Sequence, residues 1–388
     1  MTISEKIPFW RDVRVLRILL QVLFLIGVAL LAGLLYTNML RGLDRLDLSI
    51  NFSFLRLEAG FGIAEGIAFQ PSDPYLRAFW VGVVNTLKVS LIGIVLATTL
   101  GLVFGVARLS SNWLVRTIAS AYVEGFRNIP LLLQILFWYI AVILQLPPVR
   151  QSISLFERIF INQRGVHLSW PHPTPGLKIW GAYLAAGLVV AVVLYVVRRW
   201  QLHRAGRPGF PFLWAVPAFA AFAVFGWFLT PQTPLTLDIP VLQRFNFTGG
   251  VQLTPEFSAL LIALAVYTGA FIAEVVRGGI QSVETGQREA ARAVGLREIQ
   301  VLRLVVLPQA LRIIVPPLTS QYLNLAKNSS LAIAIGFPDL FNIGNTMMNQ
   351  TGQSIPVFAM IMTSYLIMSL TTSTFMNWYN RRVRLVER

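Results

Sequence analysis

The residues whose types and spacing could do chemistry lie in one charged segment between two apolar ones. Residues 289–308 read EAARAVGLREIQVLRLVVLP. Alanine and glutamate favour a helix, and glycine fits the left-handed position that ends one. We therefore predict a short helix over 287–294 that ends at Gly295. A second helix over about 298–306 is predicted to stop before Pro308, because a proline disfavours helical geometry in the residue before it.

Such a segment is suited to binding a partner. Its alanines would let another surface approach closely, and arginines surround them. The alternative is a solvated connector, but a connector needs no ordered sequence of small residues, glycine and proline. We expect the contact residues to be Glu289, Ala290, Ala291, Gly295, Val305, Leu307 and Pro308.

No motif for catalysis or nucleotide binding occurs in the sequence. A P-loop needs GxxxxGK[ST], whose backbone amides hold phosphate, and the chain contains no Gly-Lys dipeptide. The absence of cysteine excludes disulfides and thiolate metal sites. His167, His172 and His203 lack ligand spacing and are expected to be solvated loop residues. We predict no catalytic residue, no metal site and no cofactor bound by this chain.

Composition indicates a membrane protein. Hydrophobic residues make up 55% of the 388 residues and charged residues 13%, whereas an ordinary soluble domain has about 25% charged residues. Most of the Lys and Arg residues fall in segments that we assign to the cytoplasm, which is the positive-inside bias. The net charge of +15 therefore follows from membrane orientation, and we expect no nucleic-acid binding.

Apolar runs long enough to span a bilayer predict an all-α polytopic membrane protein. We expect about eight transmembrane helices, the third interrupted by Pro130, and both termini in the cytoplasm. The first run is too long for the core of a signal peptide. The predicted spans are about 16–36, 79–107, 117–144, 179–197, 212–229, 256–276, 313–337 and 355–379.

The charged segment and its surroundings resemble permease subunits of ABC importers of the polar amino acid family (histidine, glutamine, glutamate, arginine, opine). The segment itself resembles the EAA loop of these permeases, although Val305 stands where isoleucine is usual. The resemblance covers roughly half of the chain. The other matching stretches are Asn85-Thr86-Leu87, EGFRNIPL at 124–131, AEVVRGGIQSV at 273–283 and Lys327-Asn328-Ser329-Ser330-Leu331.

The resemblance implies a type I ABC importer permease core in two parts, 79–145 and 251–388, with an ATPase-coupling loop at 281–308. Residues 1–78 would add an N-terminal cytoplasmic segment, a transmembrane helix and an external loop. Residues 146–250 would be an insertion with two extra transmembrane helices. This enlargement resembles the longer subunit of the general L-amino acid permease type.

The resemblance also implies partners and a location. An ABC ATPase dimer would hold ATP and Mg and dock on the coupling loop. A second, homologous permease subunit would complete a heterodimer, and a periplasmic protein would deliver the amino acid. The expected location is the bacterial inner membrane, where the chain would be a multi-pass subunit that is not itself an enzyme.

Polar side chains within the predicted spans form a second group. A charged residue at a helix centre costs about 2.5–3.5 kcal/mol on insertion scales, so it usually faces a partner or a cavity. A zwitterionic amino acid would need both a cation and an anion or carbonyl there. An internal salt bridge, for example Glu124 with Lys327, is the alternative, and Lys88 is expected to snorkel. The predicted path or gate residues are Glu124, Arg127, Asn128, Gln134, Glu274, Lys327, Asn328 and Ser329.

We therefore expect the transmembrane subunit of an ATP-driven importer of polar or general L-amino acids, working by alternating access. An ion-coupled secondary amino acid transporter is the alternative. Such carriers typically need intramembrane carboxylates and often contain inverted repeats. Only Glu124 and Glu274 qualify as carboxylates in the spans, and no repeat pairs them. A channel or an interaction scaffold is a third alternative.

Overall fold

The computed structural model describes residues 13–45, 51–206 and 209–383, and most of them are helical. Seven described helices are long and apolar enough to cross a bilayer, or eight if one bent pair is a single span. This confirms the prediction of an all-α polytopic protein with about eight spans. The helices are α1 Val13–Arg45, α2 Tyr75–Ala107, α3 Trp113–Asn128, α4 Leu131–Leu136, α5 Gly176–Arg204, α6 Phe212–Leu229, α7 Pro255–Gln281, α8 Thr285–Ala293, α9 Glu298–Val301, α10 Leu307–Asn328, α11 Leu340–Thr351 and α12 Ser354–Val383.

At the centre of the fold, α2 packs closely against α7. Gly105 of α2 faces the α7 backbone, and a Cβ atom there would lie 2.8 Å from the carbonyl oxygen of Ala273 and from the Cβ of Val276. Gly101 faces Ile272 in the same way. Small residues let membrane helices approach until their backbones are in contact. This pair therefore forms the frame to which the other helices attach.

The third predicted span, 117–144, is interrupted at Pro130, as the sequence predicted. The axes of α3 and the helical segment after it differ by 106°. Pro130 at the break is extended, with ψ 136°. The side-chain amide of Gln134 donates to the carbonyls of Phe126 at 2.8 Å and Ile129 at 3.0 Å. Those carbonyls have lost their helical partners, so Gln134 stabilises the break.

The segments on either side of the α5–α6 hairpin contain strands, which the sequence did not predict. A four-stranded antiparallel sheet has the order β1-β2-β3-β8, and two ribbons pair β4 with β5 and β6 with β7. Because β8 ends one residue before Thr254, which caps α7, the sheet is fixed to the start of α7. The strands are β1 Ile153–Leu155, β2 Ile159–Asn162, β3 Gly165–Leu168, β4 Trp170–Pro173, β5 Leu235–Asp238, β6 Val241–Gln243, β7 Asn246–Thr248 and β8 Val251–Leu253.

His167 is not the solvated loop residue that the sequence predicted. It lies on β3, only 1% exposed, with its ring 4.8 Å from the ring of Phe247. Burial lowers the pKa of the His167 imidazole, because the charged form would lose its hydration. His172 is exposed on β4, and His203 is exposed near the end of α5.

The α2–α7 contact predicts a specific sensitivity to one methyl group. Gly105→Ala should destabilise the protein by about 1–3 kcal/mol, because overpacked helices must separate. Gly278→Ala is the matched control, since a Cβ at Gly278 of α7 meets open space. Thermal unfolding in detergent measures both. An equal melting temperature for the two variants would contradict this packing.

Candidate functional site

The first half of the coupling segment folds as the sequence predicted. α8 is followed by Gly295 at φ +86°. The N–H of Gly295 donates to the carbonyl of Arg292 at 2.9 Å, and the N–H of Leu296 donates to that of Ala291 at 3.2 Å. This pair of bonds is the Schellman motif, which ends helices at a left-handed residue. A Cβ at Gly295 would meet open space, so the backbone conformation is what requires glycine.

The second helix does not stop before Pro308, and that prediction is wrong. The chain passes from α9 through a π-turn at Leu302–Val306 into α10, and Leu307 has helical angles of φ −58° and ψ −44°. Pro308 lies in the first turn of α10, directly after this π-turn. Helix therefore continues over Glu298–Ile335, which we call the coupling helix.

Apolar side chains are exposed on the coupling segment. Val294 is 77% exposed, Ile299 78% and Leu304 60%. The guanidinium of Arg292 joins α8 to α9 through bonds of 2.7 and 3.1 Å to the two carboxylate oxygens of Glu298. Bidentate pairs of this kind fix orientation as well as distance. The segment therefore presents exposed apolar side chains, and the Arg292–Glu298 pair fixes the orientation of α8 against α9.

The predicted contact residues divide between this surface and the interior. Glu289, Ala290, Gly295 and Leu307 are exposed, and Val305 and Pro308 are partly buried. Ala291 is buried in the main hydrophobic core. Ala291 therefore holds the segment against the rest of the protein, while its neighbours remain available to a partner.

Glu274 lies within a group of arginines that joins three helices. Arg108, just after α2, and Arg277, one turn further along α7, both donate to its carboxylate. Arg127 of α3 lies 3.9 Å from that carboxylate, and Glu124 lies 4.0 Å from Arg108. Three predicted path residues are thus brought together, but as ion pairs. The partner of Glu124 is Arg108, in place of the predicted Lys327.

Lys327 lies apart from that group, on the wall of a cavity of about 640 Å³ formed by α10, α11 and α12. Ser330, Phe341 and Tyr365 also line this cavity. Among the described residues, no carboxylate lies within salt-bridge distance of Lys327. Lys327 is thus an exposed, unpaired cation beside a mostly apolar cavity.

The remaining predicted path residues do not converge on this cavity. Gln134 is buried at the α3 break, and Asn128 is the exposed last residue of α3. Asn328 is partly buried next to Lys327. Ser329 is fully buried, and its hydroxyl donates to the carbonyl of Ala326 at 2.9 Å. Its side chain therefore satisfies a backbone carbonyl at the end of α10.

Sequence reasoning missed two polar residues near this cavity. Asp339 is fully buried and caps α11 by accepting from the N–H of Asn342 at 2.8 Å. The hydroxyl of Tyr365 donates to the other carboxylate oxygen at 3.5 Å. Burial raises the pKa of Asp339 to about 7. An aspartate before an apolar run is a helix-start signal, and it could have identified α11.

A second ion pair lies at the opposite end of the α2–α7 pair. Lys88 does not snorkel, because its Nζ is 2.6 Å from a carboxylate oxygen of Glu65 and 4.6 Å from the ring centre of Phe257. The other oxygen of Glu65 accepts from the N–H of Thr254 at 3.3 Å. Lys88 is therefore held by Glu65, a partner that no sequence pattern marks.

Known proteins resemble this chain along most of its length. A putative amino-acid ABC transporter permease protein of Escherichia coli strain K12, YhdX, is 46% identical over 95% of this chain and 94% of its own. The general L-amino acid transport system permease protein AapQ of Rhizobium johnstonii is 47% identical over 89% and 86%. A glutamate/glutamine/aspartate/asparagine transport system permease protein of Rhodobacter capsulatus, BztB, is 40% identical over 96% and 94%.

The family described as binding-protein-dependent transport system inner membrane component matches residues 183–385. The match includes the coupling segment, the arginine group's Glu274 and the cavity with Lys327. Together with the relatives above, it establishes the kind of protein. This chain belongs to the family of binding-protein-dependent transport system inner membrane components, and it is a multi-pass permease subunit of that family.

Proposed function

We propose that this chain is a transmembrane subunit of an ABC importer for polar or general L-amino acids. The observation that carries the proposal is the coupling helix, which runs without a stop from the exposed loop at Glu298 to Ile335 and carries Lys327 near its far end. The names of the relatives support amino acids as the substrate class. Their wide coverage of this chain, insertion included, supports an importer with an enlarged permease subunit.

The energy source would be a partner. The sequence lacks the Gly-Lys dipeptide of a P-loop, so ATP and Mg would be bound by a separate ABC ATPase dimer. Its contact would be the exposed apolar surface of Val294, Ile299 and Leu304. A second homologous permease subunit in a heterodimer, a periplasmic amino-acid-binding protein and the bacterial inner membrane complete the proposed assembly.

The ATPase would act on the coupling helix. When the ATPase dimer closes, a push on α8 and α9 would be transmitted along the helix to the cavity at its far end. The chain is helical throughout Glu298–Ile335. Packing of the side chains would have to keep this helix rigid at Pro316 and Pro317, which each remove a backbone hydrogen bond. The Schellman turn at Gly295 and the Arg292–Glu298 pair would keep the docking surface in one orientation during this movement.

The substrate path would pass the cavity that contains Lys327. Its ammonium would bind the carboxylate of the amino acid, and the hydroxyls of Ser330 and Tyr365 could add hydrogen bonds. The group around Glu274 would act as a gate at the coupling end of α7. Closing the gate would form its ion pairs, and opening it would break the pairs that Glu274 makes with Arg108 and Arg127.

Changing Gly295 should uncouple the ATPase from transport. Gly295→Val forces a β-branched residue into left-handed geometry, at a cost of about 1–2 kcal/mol, and should misorient α9 against α8. Substrate-stimulated ATP hydrolysis and ATPase co-purification should both fall. Gly295→Asn, which tolerates this geometry, should retain most of both, and Gly286→Ala in α8 should be neutral because it meets open space.

The same preparations test the assembly itself. The proposal requires that an ATPase co-purifies with the wild-type chain and that uptake into liposomes depends on ATP. Full coupling in Gly295→Val would contradict the docking surface. ATP-independent uptake by this chain alone would contradict the importer and favour an ion-coupled carrier.

Lys327 should be needed for uptake but not for assembly. Lys327→Met removes a charged hydrogen bond to the substrate carboxylate, worth about 1.5–3 kcal/mol, so uptake should fall roughly 10- to 100-fold. Lys327→Arg should restore part of it. Lys178→Met, at an exposed lysine near the start of α5, is the control. Unchanged uptake in a normally assembled Lys327→Met complex would remove Lys327 from the path.

A further inference from the structure

The α5–α6 hairpin carries a concentration of positive charge at its turn. Arg198, Arg199 and Arg204 lie in the last turns of α5, together with His203. The sequence from 176 to 237 contains no Asp or Glu, and none of these arginines pairs with a carboxylate in the described part of the chain. These arginines are not among the residues that we propose for ATPase coupling or for the substrate path.

A cavity of about 550 Å³ lies at this turn. Arg199 and His203 supply its polar wall, and the side chain of Tyr195 lines its inner end. Gly206 and Gly209 form part of its rim. This volume is large enough for a phosphate-containing headgroup.

Aromatic rings hold two of the arginines in place. The guanidinium of Arg198 lies 4.3 Å from the ring centre of Trp214, and that of Arg204 lies 3.7 Å from the ring centre of Trp200. Stacking uses the flat face of a guanidinium and leaves the N–H donors at its edge free for phosphate oxygens. Tryptophan also concentrates where membrane meets water, so these rings place the arginines at headgroup depth.

An apolar groove adjoins the basic cavity on the same hairpin. Its volume is about 330 Å³, and its lining includes Ala191, Ala215, Val216 and Phe219. Tyr195 lines both the groove and the cavity, so the two adjoin at this side chain. A cationic pocket joined to an apolar groove has the chemical pattern of one lipid molecule.

We propose that this face of the hairpin binds an anionic phospholipid, with the phosphate at Arg199 and its neighbours and an acyl chain in the groove. Basic pockets between transmembrane helices bind anionic headgroups, and each basic residue near the surface adds to the attraction. A free phosphate ion would leave the groove unused. A protein partner would have to supply both an acidic group and an apolar segment.

Lipid titration of the purified complex, followed by native mass spectrometry, tests the proposal. Phosphatidylglycerol should bind at least about tenfold more tightly than phosphatidylcholine. The triple variant Arg198→Gln, Arg199→Gln, Arg204→Gln should lose that preference. The control variant Arg158→Gln, Lys178→Gln, Arg244→Gln removes the same charge from other exposed positions of the segment between α4 and α7 and should keep the preference.

A second variant protects the test against misfolding. Val216→Trp fills the groove at an exposed position and should weaken phosphatidylglycerol binding severalfold without changing charge. Equal binding by the wild type and the triple variant would overturn the proposal. So would displacement of the lipid by inorganic phosphate alone, which would identify a free-anion site, or a wild type without headgroup preference.

Discussion

The close contact between α2 and α7 is the interaction on which the rest of the structure depends. Glycines on α2 bring its backbone against that of α7, and ion pairs then fasten the two helices at both ends. Lys88 and Glu65 form one of these pairs, and Arg108 and Glu274 form the other. A buried ion pair adds little stability because both charges lose their hydration. Removing one partner is nevertheless costly, because the other charge is then left buried and unpaired. The two pairs therefore fix the relative position of the helices more than they strengthen the fold.

The coupling helix follows α7 after the short helix α8, and its packing on α7 links the docking surface to the frame. Gly279 of α7 packs against Ile314 of α10, since a Cβ on Gly279 would lie 2.3 Å from an Ile314 side-chain carbon. The middle of the coupling helix is thus held on α7, while its far end reaches the cavity beside α12. A displacement of the docking surface must move α7 and α10 together or slide them along this contact. Either movement would also change the contacts between Glu274 and its arginines, because Arg277 lies on α7 one turn from Glu274.

The sequence predicted what depends on local backbone chemistry and on hydrophobic length. The turn at Gly295 follows from the left-handed geometry that glycine favours, and the apolar runs follow from bilayer thickness. Sequence reasoning failed where contacts between distant segments of the chain determine the structure. Pro308 was predicted to stop a helix, yet a π-turn before it lets the helix continue. His167 was predicted to be solvated, yet pairing of β3 with a strand over eighty residues away buries it. Glu65 and Arg108 were missed because their partners lie on distant segments of the chain.

The central claim is that the coupling helix moves as one rigid element when the ATPase partner closes. The chain has no cysteine, so spin labels can be placed without background. Labels at Gln300→Cys and Asn324→Cys, both exposed and outside the proposed docking residues, span the π-turn and the helix prolines Pro316 and Pro317. A third site, Leu102→Cys, lies exposed on α2. Pulsed electron paramagnetic resonance on the assembled complex should show an unchanged 300–324 distance with and without nucleotide, while the 102–300 distance shifts. A nucleotide-dependent 300–324 distance, or a constant 102–300 distance, would contradict a rigid coupling helix.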